Sequence, residues 1–338
     1  MSDIWLPNTP AFEGLIPHKV VWQPLENVQA DKIRLACGFQ GRVERMVTHQ
    51  AWPKGYYRVL GETRYFVKVA EKAHALRQLE ADAIAAYLQG CEVSVNRLLP
   101  GFPKSASELG NLNLSLLAYN YLDADFIEPN CQVMARMGEA IGYLHLALSK
   151  APFSEQVKSR GLKRHHALLE KWQSMALLQV DDSDARDILA NADEALFSLL
   201  VEDAQCVHGD LNFGNIMIDT RDDIVFLDFE DAQSAWFNPL KDLAFVIERF
   251  ILVHAPKDMD QQVIALLRSY YQIYPKRFSH VGHLVGLLKA LAVRSLLILA
   301  EASGQGNVFP KSEWRKFVSL YQQTQQKQAH LEAVFEQT

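Results

Sequence analysis

Positive charge, paired cysteines, a glycine-rich loop motif and an apolar leader are all scarce or missing in this chain, and each absence closes off a class of function. Lys and Arg number 34 against 40 Asp and Glu, a formal charge of −6. A dedicated nucleic-acid binder would carry a basic domain or stripe, and an anionic membrane surface would attract one, so neither partner is expected. There are only four cysteines, Cys37, Cys91, Cys131 and Cys206, too scattered for a zinc site. They read as reduced structural thiols of a cytoplasmic protein. Residues 1–10 hold Asp3, Pro7 and Pro10 without a cationic start or an apolar run, so no signal peptide is expected. The longest apolar run, Leu284 to Ala300, is interrupted by Lys289 and Arg294 and reads as a buried helix rather than a membrane span. No G-x-G-x-x-G occurs, and no internal repeat.

What is present describes a globular protein. The chain has 338 residues, 49% apolar and 22% charged, enough for two domains or one two-lobed unit. Residues 1 to about 30, with Pro7, Pro10, Pro17 and Pro24, read as an irregular lead-in. Val43, Arg45 and Val47 alternate like a strand. Tyr56 to Leu60, a turn at Gly61 to Thr63, and Arg64 to Val69 form a β-hairpin. A helix follows from Glu71 to Gln89, with Leu76, Glu80, Ala83 and Tyr87 on one stripe. Leu114 to Leu122 is an apolar strand, and Met134, Met137, Ile141, Leu144 and Leu148 mark a core helix with His145 at its border. Residues 149–202 read as helical and polar, with a basic run from Lys158 to His166 that suits a solvated face. Asp181 to Asp184 looks like a turn and N-cap. Leu243–Val253, Gln261–Tyr274, Leu284–Ala300 and Ser312–Gln337 read as four further helices. The organisation is therefore α+β, with strands and one helix in residues 31–120 and a mainly helical part in residues 121–338.

Chemistry concentrates between Cys206 and Asp242. His208, Gly209 and Asp210 are followed by four residues and then Asn215, the H-x-D-x-x-x-x-N spacing of a phosphoryl-transfer loop. A hairpin comes next: Ile216 to Ile218, a polar turn at Thr220 to Asp223, and Ile224 to Leu227 returning, with Asp228 at the strand end. Phosphoryl transfer needs a carboxylate to orient and deprotonate a hydroxyl, and hard oxygen ligands for Mg²⁺. Asp210 suits the first task, Asn215 and Asp228 the second. Inside the earlier hairpin, Lys68 stands where a lysine could hold nucleotide phosphates, although a strand lysine is as readily a solvent-facing residue. An inward Glu80 would need a cationic partner, because an unpaired buried charge costs several kcal/mol. Lys68 is the nearest candidate, and the alternative is that Glu80 sits at the stripe's edge in water.

The segments H-G-D-L-N-F-G-N-I-M, F-L-D-F-E-D-A and N-P-L-K-D-L-A make the chain resemble the aminoglycoside phosphotransferase and choline kinase-like family. That resemblance implies a two-lobed protein-kinase-like fold, a small antiparallel sheet with one helix preceding a helical lobe, and ATP and Mg²⁺ as cofactors. It implies Asp210 as catalytic base, Asn215 and Asp228 as magnesium ligands, Asp242 as the brace of the catalytic loop with His208 in support, and a Lys68–Glu80 ion pair. It also implies adenine bound to backbone around Ala118 to Tyr121. The phosphate-covering loop would be Thr48 to Gly55, which departs from the family in holding one glycine, with Gly38 and Gly41 further back as substitutes.

Fourteen positions separate Asp228 from Asp242, too few for the activation segment of a protein kinase, and no A-P-E follows. A small hydroxylated acceptor such as an amino alcohol, sugar or aminoglycoside is expected. Glu230, Asp231 and the aromatic residues Trp236, Tyr270, Tyr271 and Trp314 are candidates for a pocket taking a cationic amine. The alternative is a nucleotide-binding regulatory protein of the same fold without turnover.

Overall fold

The computed structural model describes residues 20–48, 50–174, 180–254, 256–274 and 282–338. They fall into two compact units, residues 20–125 with 217–233 and residues 126–216 with 234–338. The class is α+β, as the pattern of strands and helices implies.

The first unit is built on an antiparallel sheet. Its strands are β1 (Trp22–Pro24), β2 (Arg42–Met46), β3 (Gly55–Leu60), β4 (Arg64–Glu71), β5 (Lys104–Ser105) and β6 (Leu114–Asn120), in the order β1-β2-β3-β4-β6-β5. Alternation decides which side is core. Tyr57 and Val59 of β3 and Val67 and Val69 of β4 point to one face, where they meet Ile33, Leu116 and Ala118. Tyr56 and Lys68 are cross-strand neighbours on the other face. Two helices belong here, α1 (Asn27–Cys37) and α2 (Lys72–Gly90). A small sheet of β7 (Ala124–Phe126), β9 (Ile216–Asp219) and β10 (Ile224–Phe226), in the order β10-β9-β7, adds the expected second hairpin. Asp219 closes its turn by accepting from the backbone N–H groups of Arg221 (2.8 Å) and Asp223 (2.9 Å).

The irregular lead-in is corrected beyond residue 20: β1 pairs with β2, Trp22 opposite Met46, and α1 begins at Asn27. Pro24 is tolerated because β1 is an edge strand, which can spare a backbone donor. Residues 1–19 lie outside the described part. The buried positions of α1 are Ala30, Ile33, Ala36 and Cys37, mostly small residues whose period is easily overlooked. Gly38, at φ +78°, ends that helix and donates to the Arg34 carbonyl at 2.8 Å.

The second unit is mainly helical: α3 (Cys131–Leu148), α4 (Ser154–Gln173), α5 (Ser183–Ala190), α6 (Glu194–Leu199), α7 (Leu240–Val246), α8 (Met259–Ile273), α9 (Gly282–Gly304), α10 (Lys311–Gln326) and α11 (Gln328–Phe335). Two short strands, β8 (Gln205–Cys206) and β11 (Trp236–Phe237), pair antiparallel at the two ends of the segment that holds His208, Asp210 and Asn215. Caps sit where side-chain acceptors allow them. Asn130 starts α3 by accepting from Gln132 and Val133, both at 3.0 Å, and Asp182 starts α5 by accepting from Asp184 at 3.0 Å, inside the turn read from sequence. The helix expected from Leu243 becomes α7 followed by a π-helical stretch, Ile247–Leu252, and the last expected helix is broken at Lys327 into α10 and α11. Helix α9 is long and apolar enough to cross a membrane by composition, yet 61% of its apolar window is buried within the protein. It packs on α7 and α10.

Helices α3 and α8 pack closely because α3 offers Gly138 and Gly142. A Cβ on Gly142 would lie 2.7 Å from Cβ of Ile273, and one on Gly138 would collide with the Leu266 carbonyl. Backbone cannot retreat as a flexible side chain can. Gly138→Ala is therefore expected to destabilise the protein by about 1–3 kcal/mol, as overpacking does, read as a lower urea midpoint with an unchanged slope.

Candidate active site

The catalytic stretch begins where β8 delivers His208, Gly209 and Asp210. Gly209 adopts φ +88°, a left-handed conformation that side chains disfavour, which explains the glycine between His208 and Asp210. The turn is fixed from the start of α7. The Asp242 carboxylate accepts from the backbone N–H of His208 at 3.0 Å and of Gly209 at 3.2 Å. Lys241, 1% exposed, donates its Nζ to the Gly209 carbonyl and lies 3.5 Å from Oδ1 of Asp242. The same ammonium sits 5.2 Å from the ring centres of Phe237 and Phe245, which helps to shelter it. Behind Asp242, Nε2 of His145 lies 3.4 Å from Oδ2, and Nδ1 of His145 lies 3.0 Å from the Tyr270 hydroxyl. His145 is thus a buried, satisfied histidine, as its place on the α3 stripe implies.

Burial by itself would raise the Asp242 pKa. Lys241, His145 and His208 outweigh it and hold the carboxyl well below the ordinary carboxylate range.

Two amides orient the Asp210 carboxylate. Nδ2 of Asn212 donates to Asp210 Oδ2 at 2.8 Å, and Nδ2 of Asn215 donates to the same oxygen at 3.0 Å and to the Asp210 carbonyl at 2.9 Å. Asn212, whose own Oδ1 accepts from the Gly214 N–H at 2.7 Å, is the site residue that sequence reasoning missed. Its signal was the asparagine two positions after Asp210, where an Asx turn can reach back. Both donors take Oδ2, so Oδ1 is the side of Asp210 that can receive a hydroxyl proton.

The first unit carries a second polar cluster. Asp228 follows β10 with φ +54°, a conformation that aspartate tolerates better than most residues. Its Oδ1 accepts from Nε2 of Gln78 on α2 at 2.9 Å and from the Glu230 N–H at 3.3 Å. The Tyr119 hydroxyl supports Gln78 by donating to its Oε1 at 3.3 Å. Lys68 on β4 is half-buried, 5.9 Å from the Tyr56 ring centre. Burial lowers its pKa, and the charges of Asp228 and Glu230 oppose that shift. Glu230 is engaged by α2, with Oε1 3.1 Å from His74 Nδ1 and 3.1 Å from Arg77 Nε.

Several expectations need correction here. Glu80 lies on the exposed face of α2, and the inward stripe is Ala75, Gln78, Ala81, Ala85 and Leu88. The long side chains misled the reading: Leu76 and Leu79 are 52% and 45% exposed, while small alanines make the close packing. In the Ala118 to Tyr121 stretch, the Ala118 carbonyl accepts from Leu99 N–H at 2.8 Å and the Tyr121 N–H donates to the Arg64 carbonyl at 3.0 Å. In the loop after β2, Arg45 donates to the carbonyls of Gln50 and Lys54, the latter at 2.9 Å. Gly55, φ +140°, opens β3, and His49 lies outside the described residues. Gly38 and Gly41 do not serve as that loop: Gly38 ends α1, and Gly41 lies against the backbone of Leu60 and Gly61. Of the aromatic residues considered for an amine pocket, Tyr270 and Trp314 are core, and the Trp236 ring has Lys158 Nζ 5.7 Å from its centre. Asp231 begins a short 3₁₀ turn that ends at Gln233.

Each unit keeps an oxygen of the kind that magnesium takes. With Nδ2 of Asn215 spent on Asp210, its Oδ1 is the atom left for a cation, and Asp228 likewise keeps Oδ2. Among the described residues no three His, Cys, Asp or Glu side chains gather as a metal cage. Magnesium does not require one, since it takes one or two protein oxygens and completes its shell with phosphate and water.

The depressed pKa of Asp242 has a consequence for stability. Its folded-state value lies below the unfolded one, so it contributes stability that is present above about pH 4 and is lost as pH falls through the folded value. Asp242→Asn is expected to cost roughly 3–5 kcal/mol at neutral pH, since it leaves buried cationic groups uncompensated, and to flatten the acid limb of stability against pH. Urea midpoints taken from pH 6 down to about pH 3 check both expectations.

Comparison with known proteins bears on the family and the fold. The family model described as "Phosphotransferase enzyme family" matches residues 49–276. No curated protein sequence matches the chain. Among solved structures, the chain is similar to a microcompartment-associated aminopropanol kinase, at 13% identity and a TM-score of 0.57, covering 90% of this chain and 99% of that one. It is similar also to choline kinase LicA from Streptococcus pneumoniae, at 17% identity and a TM-score of 0.55, with 89% and 98% covered. A third similar structure is the spectinomycin phosphotransferase solved with ADP and spectinomycin, at 12% identity and a TM-score of 0.54, with 94% and 100% covered. At such identities the likeness is one of fold, while the family match spans well over half of the sequence: the chain belongs to the phosphotransferase enzyme family.

Proposed function

We propose that the protein is an ATP-dependent kinase that phosphorylates a hydroxyl group of a small molecule, an amino alcohol, sugar or aminoglycoside-like compound. The observation that carries this reading is the carboxylate of Asp210, held through one oxygen by two amides while the other stays available. A carboxylate so fixed can accept the proton of an attacking hydroxyl along one direction only. The names of the similar structures, kinases of aminopropanol and choline and a phosphotransferase of spectinomycin, support an acceptor of this size.

Each residue then has a task. Asp242 and Lys241 hold the two peptide planes that flank Gly209, which fixes where Asp210 begins. Asn212 and Asn215 aim the Asp210 carboxylate. Asn215 Oδ1 and Asp228 are the proposed magnesium ligands, and Lys68 is the proposed partner of the nucleotide phosphates. ATP supplies the phosphoryl group and magnesium neutralises its charge. The acceptor's proton would go to Asp210 Oδ1 as its oxygen bonds to the γ-phosphorus, the bond from that phosphorus to the β,γ-bridging oxygen breaks, and ADP leaves. Asp231 and Trp236 stay proposals for acceptor contacts, and the cysteines, free throughout, suit a cytoplasmic setting.

Asp210→Asn is the direct test. In a coupled ADP-release assay over a panel of hydroxylated small molecules, the wild type should turn over at least one. The variant should lose about 10²- to 10⁴-fold in rate while still binding nucleotide. Nucleotide binding by the wild type with no turnover on any acceptor would favour the alternative, a nucleotide-binding regulatory protein.

A further inference from the structure

Helix α2 turns an amide inward where the resemblance leads one to expect a carboxylate. Gln78 is 7% exposed, while Glu80 lies on the exposed face. A buried amide costs free energy unless its polar atoms are bonded, so its partners show what it does. Nε2 of Gln78 donates to Oδ1 of Asp228 at 2.9 Å, and its Oε1 accepts from the Tyr119 hydroxyl at 3.3 Å.

The direction of the amide follows from those two partners. An ionised carboxylate only accepts, so the NH₂ end of the amide has to face Asp228. Tyr119 enforces the same orientation from the other end, because its hydroxyl has a proton to give to Oε1. Burial first, and then the charge of Asp228, push the Tyr119 pKa above its ordinary value, which keeps that proton in place. The sheet delivers the hydroxyl: Tyr119 stands on β6 opposite Phe66 of β4. Donation therefore runs one way, from the sheet through the helix to the segment after β10.

That segment is tied on both sides of Asp228. The Phe226 N–H donates to the Ser94 carbonyl at 3.0 Å and the Phe226 carbonyl accepts from Asn96 at 3.3 Å, while Nε2 of Gln233 donates to the Arg77 carbonyl at 2.8 Å. The main chain is thus held, in the left-handed conformation noted above, but a carboxylate still has rotamers of its own. Of the two donors on Asp228 Oδ1, the Gln78 amide at 2.9 Å is closer than the Glu230 N–H at 3.3 Å. It is also the one that brings no charge of its own.

We propose that Gln78, aimed by Tyr119, is the positioning residue of the Asp228 carboxylate, holding Oδ1 so that Oδ2 is the oxygen presented to magnesium. This rests on the kinase reading for the cation, whereas the run of hydrogen bonds from Tyr119 to Asp228 belongs to the unliganded protein. Helix α2 thereby serves the metal ligand, where the resemblance would have it serve Lys68.

The test reads binding in the full-length protein: the affinity for a fluorescent, non-hydrolysable ATP analogue, once with Mg²⁺ and once in EDTA. In the wild type Mg²⁺ should tighten binding. Gln78→Met, which keeps the buried bulk and removes the donor, should take away roughly tenfold of that gain and leave the EDTA value unchanged. Tyr119→Phe should take away a smaller part, since the amide is then free to turn. Gln78→Glu, the residue type that the resemblance would put there, should lose at least as much as Gln78→Met, because it sets a second negative charge against Asp228. In an Asp228→Asn background Gln78→Met should change the Mg²⁺ gain little. Urea midpoints establish that each variant is folded, and Tyr119→Phe carries the test if Gln78→Met is not. An equal loss with and without Mg²⁺, as a purely structural glutamine would give, or no loss at all, overturns the proposal and leaves the kinase reading standing. Wild-type binding that is indifferent to Mg²⁺ overturns it as well. A wild type that binds the analogue in neither condition overturns both.

Discussion

The carboxylate of Asp242 is the constraint on which the catalytic stretch depends. It is fully buried, and it remains ionised because it answers cations and donors from several elements at once: Lys241 beside it, His145 from α3, and the backbone of His208 and Gly209. Remove the charge and the donors have no common acceptor. Replacing the whole cluster by apolar side chains could be as stable, since buried ion pairs rarely gain much over hydrophobic contacts, whereas removing Asp242 alone leaves its cations and donors unanswered. What apolar side chains could not do is collect two successive N–H groups into a left-handed turn. Asp242 therefore serves geometry as well as stability.

Lys241 makes that geometry two-sided. The N–H and the carbonyl of Gly209 belong to the two peptide planes that flank its Cα, and both planes are held, the first by Asp242 and the second by Lys241. The ammonium is sheltered by Phe237 and Phe245, so water competes little for it. Downstream, the same helical stretch buries Glu248, whose pKa burial raises while Arg249, with Nε 3.0 Å away, and Lys241 oppose the shift. The π-helical turn at Ile247–Leu252 falls beside these buried charges.

Much of this could be read from sequence where chemistry and spacing coincide. His208, Asp210 and Asn215 stand close in the chain, and their loop forms locally, so the spacing carries the geometry; Asp242, which reaches that loop from 34 positions away, was expected only through the family resemblance. The hairpins were legible because polar turns interrupt short apolar runs, and α3 was legible because its large side chains recur at helical period. Helix α2 was misread for a physical reason. Its buried face begins with Ala75, Gln78 and Ala81 while Leu76 and Leu79 face solvent, so apolar bulk in the first half of the helix pointed to the wrong side. The strand β1 was hidden by brevity and by Pro24, and Asn212 by the generic character of an asparagine in a turn.

The misreading of α2 also shows what sequence spacing cannot decide. A glutamate on a helix after a strand lysine invites pairing by analogy, yet one step of helical phase, about 100°, separates a residue that faces the sheet from one that faces water. The phase is set by packing. Small residues let α2 lie close to its neighbours, so Ala75, Ala81 and Ala85 turn inward, and Gln78 turns inward with them. An acid at that position would stand against Asp228, whose Oδ1 already accepts from Gln78, and like charges so placed repel. The neutral amide removes the repulsion and adds a donor.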